Sequence, residues 1–330
     1  MRIVVTGGAG FIGSEFVRQL AKRGLSPHSY NVSGLEGDCP RLIVIDKLTY
    51  AGDLKRLDEV KGKFKFYKVD ICDKNKICAV FQKEKPDIVV NFSAETHVDR
   101  SIVDSSSFIN TNINGTKVLL DACLKYQINK FIHISSDEVY GEIEKGVFNE
   151  DSPLQPNSPY SASKAAADLL IRSYIRTYGL PAIIVRPSNN YGPWQYPEKF
   201  IPVAIHSVLK GGKIPVYGRG LNVREWLYVS SCVEGIILIL KKGKPGGIYN
   251  LGSGFRKRNI DLAMAILNKM DKPHRLIKFV RDRPGHDLRY SLDSSKAQRL
   301  GWKPGIGLNE GLQKTIDWYK ESLSWLNSKI

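Results

Sequence analysis

Tyr160 and Lys164 stand four residues apart in Tyr160-Ser161-Ala162-Ser163-Lys164, a spacing that places both on one face of a helix. An ammonium held there lowers the pKa of the phenol, and a phenolate can then take a proton from a hydroxyl as hydride leaves. The spacing alone proves little, because Tyr126 and Lys130 share it. That second pair falls where a helical pattern hands over to a strand-like run, so its side chains do not share a face. Tyr160 instead follows the proline-rich stretch Pro153–Pro159, where a helix begins. Ahead of it comes Ser135-Ser136-Asp137-Glu138-Val139-Tyr140-Gly141. Two adjacent carboxylates near a hydride site can divide acid and base roles. An exposed acidic turn has the same composition, and the residues by themselves leave the two readings level.

A second constellation is Thr6-Gly7-Gly8-Ala9-Gly10-Phe11-Ile12-Gly13. Gly7, Gly10 and Gly13 permit a tight turn, close approach of backbone to a pyrophosphate, and close helix packing. The free N–H groups of the helix that follows then hold phosphate oxygens. Asp46, at the end of the next apolar run, is placed to accept from a ribose hydroxyl, which favours NAD over NADP. It lies farther on than the usual ~20 residues, and the polar segment Ser26–Pro40 reads as an inserted surface loop that accounts for the excess.

The elements that must position these residues alternate. Candidate strands are Arg2–Thr6, Arg41–Asp46, Lys65–Asp70, Asp87–Phe92, Lys130–Ser135 and Ala182–Arg186, with amphipathic stretches at Gly13–Arg23, Lys74–Lys83, Phe108–Tyr126 and Ser161–Tyr178. The strands are apolar throughout, as a parallel sheet covered on both faces requires. The fold class is therefore α/β, a doubly wound parallel sheet of Rossmann type with a smaller C-terminal substrate-binding lobe. We expect residues 1–187 to form the dinucleotide half and 188–330 the lobe, with 222–240 returning to the dinucleotide half. Beyond Pro187 helices should be fewer and strands isolated.

Bulk properties exclude other classes. A chain of 330 residues with 25% charged and 42% hydrophobic residues is globular. Five cysteines without a CxxC pair argue against a disulfide framework or a zinc site, and we expect no metal. The apolar start Ile3-Val4-Val5 is stopped by glycines too early for a signal peptide, and no run approaches the ~20 residues of a membrane span. A cytoplasmic protein is expected, with no membrane partner. The net charge of +16 is scattered, which predicts a solvated surface and no nucleic-acid partner.

These motifs, together with DKLTYAG (46–52), HVDRSI (97–102), SNNYGPWQYPEKFIP (188–202), NVREWLYV (222–229) and DRPGHDLRY (282–290), make the chain resemble the extended short-chain dehydrogenase/reductases. Within them it resembles the dTDP-glucose 4,6-dehydratases, over almost its whole length. The resemblance implies a mechanism with Tyr160, Lys164 and Ser136 at the oxidation step, Glu138 as base at carbon 5, and Asp137 as acid at the carbon 6 hydroxyl. For NAD it implies Gly7, Gly10, Phe11, Ile12, Gly13, Asp46, Lys47, Leu48, Thr49, Gly52, Asp70, Ile71, Phe92, Ala94, Thr111, Tyr160, Lys164 and Asn189. For the nucleotide-sugar it implies His97, Ser136, Asn190, Glu198, Lys199, Arg224, Asn259, Arg283 and His286. Arg224 suits a diphosphate fork.

The resemblance also implies a homodimer formed through helices 108–126 and 161–178, and a place in deoxysugar synthesis of the rhamnose type. The chain departs from the family at Ser136, usually threonine, at Ser230-Ser231, usually acidic, and at Arg219, usually aspartate. Neighbouring readings are a UDP-glucose 4,6-dehydratase, a UDP-sugar 4-epimerase or a UDP-glucuronate decarboxylase. Asp137-Glu138 argues against a simple epimerase, which needs no acid–base pair for dehydration. A non-catalytic NAD sensor would have lost a tyrosine, lysine or carboxylate, and none is lost here.

Overall fold

The structure, a computed structural model, describes residues 1–23 and 40–329. The proposed inserted loop, apart from Pro40, lies outside the described residues. Seven strands, β1 (Arg2–Thr6), β2 (Arg41–Asp46), β3 (Phe64–Lys68), β4 (Ile88–Asn91), β5 (Lys130–Ile134), β6 (Ala182–Pro187) and β10 (Ile248–Leu251), form one parallel sheet in the order β10-β6-β5-β4-β1-β2-β3. The order reverses between β1 and β4, where an open α/β sheet places its ligand crevice. Branched side chains fill both faces. Ile3, Val5, Val44 and Val90 lie on one side with helices Phe11–Arg23 and Val229–Lys242, and Val4, Ile43, Val89 and Phe131 on the other with helices Lys74–Glu84 and Thr116–Lys125. This is the Rossmann-type doubly wound fold expected from the alternating apolar runs.

The remaining strands are β7 (Asn189–Tyr191), β8 (Ile214–Tyr217), β9 (Val223–Tyr228), β11 (Arg256–Arg258) and β12 (Ile277–Val280). They form a three-stranded sheet, β11-β9-β7, and a β12-β8 pair. A third apolar core holds β7, β8, β9 and β12 to helices Phe200–Leu209, Asn259–Lys269 and Leu308–Glu321. The expected scarcity of helices beyond Pro187 is corrected here, since six α-helical segments follow it. Frequent proline, glycine and aromatic residues between them masked their periodicity.

Candidate active site

The first glycine turn is dictated by sterics. Gly7 has φ +67°, and a Cβ there would come within 2.6 Å of the Ser93 backbone nitrogen. At Gly13 a Cβ would meet the Gly7 carbonyl oxygen at 2.3 Å. Only glycine lets the helix Phe11–Arg23 start this close to β4. Asp46 closes the turn, with its carboxylate accepting from the N–H groups of Ala9 (3.1 Å) and Leu48 (2.8 Å).

The tyrosine sits where its helix is capped. Ser158 accepts from the Ser161 N–H while the Ser161 hydroxyl accepts from the Ser158 N–H, and Pro159 occupies the first helical position. The Tyr160 N–H, left without an intrahelical partner, donates to the Ser101 hydroxyl (3.1 Å). Ser136 ends the β5 run and caps a short 3₁₀ turn, Asp137–Tyr140, by accepting from the Glu138 N–H (3.2 Å). The acidic turn is thus folded inward. Asp137 is 3% exposed and lies 3.2 Å from the Ser136 hydroxyl. Tyr126 ends one helix and Lys130 opens β5, so that pair is separated as its context predicted.

These groups converge on a cleft of about 480 Å³ at the carboxyl ends of the strands. Ser136, Asp137, Glu138, Tyr160 and Lys164 line it with Gly7, Gly10, Phe11, Ile12, Gly13, Phe92, Ala94 and Asn189. From the lobe come Asn190, Glu198, Lys199, Arg224, Asn259, Arg283 and His286, and from the first half His97, which caps helix Val98–Val103. A side cavity of about 90 Å³ shares Gly7, Gly10, Phe92 and Ala94, and adds Asp46, Lys47, Thr49, Gly52, Asp70, Ile71 and Thr111. Leu48 lines neither cavity; it stands between Lys47 and Thr49, which do, with φ 56° and its N–H held by Asp46.

The electrostatics separate the two carboxylates. Burial pushes Asp137 well above the usual carboxylate range, and Glu138 and Glu225 push it further. Burial also raises Glu138, but Arg283, Arg224 and Lys199 pull it back. Asp137 is therefore the harder of the two to ionise and Glu138 the easier. Burial lowers Lys164 to about 8, with Asp168 opposing. The expected lowering of the tyrosine is corrected: burial raises Tyr160, Glu138 adds to that, and the Ser136 hydroxyl pulls the other way. Lys164 Nζ donates to the Ile134 carbonyl (2.6 Å).

The cleft is built for guests. Buried polar atoms along it have no partner: Ser135 Oγ, Asp137 Oδ2, Ser188 Oγ, Asn189 Oδ1, Asn190 Oδ1, Asn259 Oδ1 and Arg283 Nε. Such atoms are costly unless a ligand or water satisfies them. In the side cavity Lys47 is spent on Asp70 (3.4 Å) and Glu95 (3.8 Å), and Asp46 repels a ribose phosphate, so the residues fit NAD. Arg224 turns two nitrogens toward the Val223 (2.9 Å) and Asp287 (2.8 Å) carbonyls and stacks on Tyr290 (4.2 Å). Its charge reaches Glu138.

Sequence reasoning missed Asn112, Ser188, Gln195 and Arg56. Asn112 lies in a π-helical segment, Ile109–Gly115, that interrupts the expected helix. Its amide accepts from the Glu95 N–H (2.9 Å) and donates to the Glu95 carbonyl (3.0 Å) and Ser163 Oγ (2.8 Å), tying the cofactor-side loop to the tyrosine helix. The polar run Asn110-Thr111-Asn112 was the available signal. Arg56 donates to the carbonyls of Ala9, Ala51 and Trp194, a placement no local pattern announces. At the family departures, Ser231 Oγ accepts from the Gly305 (3.1 Å) and Ile306 (3.2 Å) N–H groups, an architectural role.

A glycine-cradled crevice at a sheet switch point, with a Tyr-x-x-x-Lys helix across it, defines an extended short-chain dehydrogenase/reductase. The family description "GDP-mannose 4,6 dehydratase" matches residues 4–315. A dTDP-glucose 4,6-dehydratase from Streptomyces niveus is 45% identical, covering 98% of this chain and 94% of that protein. The crystal structure of a dTDP-glucose 4,6-dehydratase from Streptomyces venezuelae, with NAD bound, superposes with a TM-score of 0.94 at 44% identity over 100% of both chains. A Thermus thermophilus UDP-glucose 4-epimerase in complex with NAD gives 0.86 at 32% identity, over 97% of this chain and 99% of that one. The chain belongs to the dTDP-glucose 4,6-dehydratase family.

Proposed function

We propose that this enzyme converts dTDP-glucose to dTDP-4-keto-6-deoxyglucose and water. Bound NAD supplies a hydride acceptor that is regenerated within each turnover. Tyr160 takes the proton of the carbon 4 hydroxyl as the phenolate, which the Ser136 hydroxyl and the Lys164 ammonium stabilise against the burial that raises it. The ketone so formed acidifies the neighbouring C–H bond, and Glu138, kept ionisable by Arg283, Arg224 and Lys199, removes the carbon 5 proton. Asp137, held protonated by burial, gives its proton to the departing carbon 6 hydroxyl. Arg224 and Arg283 receive the diphosphate, and the unpaired Asn190 and Asn259 oxygens take donors from the nucleotide-sugar. The observation that carries this reading is the acid–base division between adjacent Asp137 and Glu138 beside the Tyr160 helix.

Residues 1–187 serve the cofactor and 188–330 the sugar nucleotide. Of segment 222–240 the helix Val229–Lys242 belongs with the first half, packing on helix Phe11–Arg23, whereas strand Val223–Tyr228 stays in the lobe's β11-β9-β7 sheet; the stretch that returns to the main sheet is β10, Ile248–Leu251. The protein works in the cytoplasm, in deoxysugar synthesis of the rhamnose type, and among the described residues no helix is long and apolar enough to cross a membrane. It acts as a homodimer, a reading supported by apolar Ile109 (48%), Leu169 (53%) and Tyr178 (59%) standing exposed along the two long helical stretches. Parallel assays with dTDP-glucose and UDP-glucose, read by mass spectrometry as loss of water, test the assignment. Turnover of UDP-glucose alone would overturn the nucleotide, and turnover of neither would overturn the reaction.

A further inference from the structure

Asp168 stands one turn beyond Lys164 on the helix Pro159–Tyr178, so the two side chains share a face. The strands beneath bring their partners together. Lys164 Nζ donates to the Ile134 carbonyl at the end of β5 (2.6 Å), and Ile134 pairs with Val185 on β6. The next residue of β6 is Arg186, whose Nε donates to Asp168 Oδ2 (2.9 Å). Asp168 is 0% exposed and Arg186 1%. An ion pair taken so fully out of water adds little to stability by itself, which leaves room for another role. Arg186 Nη1 is taken up by the Tyr140 hydroxyl (2.7 Å), which donates on to Asn250 Oδ1 (2.8 Å). Asp168 Oδ1, in contrast, finds no hydrogen-bond donor among the described residues. Charge left on a buried oxygen acts strongly on other charges nearby, and the next cation along this face of the helix is Lys164.

We propose that Asp168 is the counter-ion that keeps Lys164 an ammonium through the oxidation step, with Arg186 keeping Asp168 ionised. Both are positioning residues, because neither lines the cleft. The inference deepens the proposed reaction and rests on the part the Lys164 ammonium plays beside Tyr160. Each element packed here contributes a known charge. On the helix, burial works against the ammonium and Asp168 favours it. On β5, burial and the lysine charge hold His133, 3.4 Å from Lys164 Nζ, well below its usual range, so it adds no second cation. Burial raises Asp168, and Arg186 on β6 pulls it back, as does the Ser135 hydroxyl, which stands close without closing a hydrogen bond. Asp137 and Glu138 act on Tyr160 from the 3₁₀ turn.

Carbon-13 NMR of lysine side chains in the NAD-saturated enzyme tests the counter-ion without requiring turnover. The Lys164 signal, assigned by its loss in Lys164→Met, should titrate at about 8 in the wild-type protein. Asp168→Asn keeps the size of the side chain and an acceptor for Arg186 but removes the charge, so the Lys164 midpoint should fall below the wild-type value. An unmoved or raised midpoint would overturn the proposal and leave Asp168 a structural anchor. Should Asp168→Asn strand Arg186 and fail to fold, the double variant Asp168→Asn/Arg186→Met removes both charges together and carries the same expectation. Oxidation read alone gives a second check. With dTDP-6-deoxyglucose, which has no carbon 6 hydroxyl to lose, carbon 4 gives its hydride to NAD and its hydroxyl proton to Tyr160, and NADH absorbance reports the step. That step needs the ammonium, so its rate should fall as pH climbs through the lysine midpoint, and at a lower pH in the variant. Coincident profiles would contradict the proposal. Dehydration of dTDP-glucose by the wild-type enzyme, measured separately, tells a failure of the counter-ion from a failure of the reaction assignment.

Discussion

The two walls of the cleft are built on opposite plans. The sheet wall takes its reacting groups from two short segments, 136–138 and 160–164, and buries them, so desolvation is the first cause of every shift there. The lobe wall gathers Lys199, Arg224 and the Arg283–His286 pair from three separate segments and presents their side chains with unpaired acceptors and the Arg283 Nε donor. In the proposed reaction burial serves proton transfer on one side, while on the other Arg283, Arg224 and Lys199 meet the anionic substrate and pull Glu138 back from the shift that Asp137 keeps. The difference teaches that acid and base are assigned here less by residue type than by which wall each carboxylate faces.

The largest effects should come from the sheet wall. Tyr160→Phe removes the phenol and should lower kcat by about 10²–10⁴-fold, the range of general acid–base catalysis, with NAD binding retained in a fluorescence titration. A smaller loss would move the first proton transfer elsewhere.

The carboxylates sharpen the comparison. Glu138→Gln should abolish hydrogen exchange at carbon 5, whereas Asp137→Asn should leave that exchange running and block loss of water, each lowering dehydration about 10²-fold or more. Proton NMR of the substrate separates the two, and the opposite assignment of defects would exchange their roles. The pH profile follows from the same division. Activity needs Glu138 ionised, so it falls as pH drops through a pKa raised above the ordinary 4.5. It also needs Asp137 protonated, so it falls again as pH climbs through the still more strongly raised pKa of that group. A kcat/KM profile flat on its acid side down to the ordinary carboxylate range would break this account.

On the lobe wall Arg224→Lys loses the planar fork and should raise KM about 10–100-fold with a smaller change in kcat, the scale of hydrogen bonds to a charged group. Steady-state kinetics would contradict this if kcat alone fell. The smallest effect lies where the walls are tied. Asp53 caps the turn Leu54–Val60 and accepts from Trp325 Nε1 (2.8 Å) in the C-terminal helix. Asp53→Ala should cost about 1–2 kcal/mol in urea unfolding and leave the carbon 5 exchange unchanged.

What was legible in the sequence follows the same boundary. The glycine turn, the Tyr160–Lys164 pair and the acidic turn are short-range patterns, and the strands β1 and β2 begin and end where their apolar runs do. Other strands stop one or two residues early because the chain turns into the cleft; β3 ends at Lys68 before Asp70 enters the side cavity. The lobe residues carried no periodic signal and were reached only through the family resemblance. Two physical facts were out of reach. The burial that raises Tyr160 comes from the whole fold, and the π-helical segment that aims Asn112 reads as ordinary helix. Leu48 shows a further limit, since its left-handed backbone (φ 56°) is a property no sequence pattern announced.

The most direct test of the central claim is proton NMR of the wild-type enzyme with dTDP-glucose in deuterated water. The account predicts a 4-keto-6-deoxy product carrying solvent deuterium at carbon 5, with no net NADH. A product that retains its original hydrogen at carbon 5, or accumulating NADH with no loss of water, would contradict it.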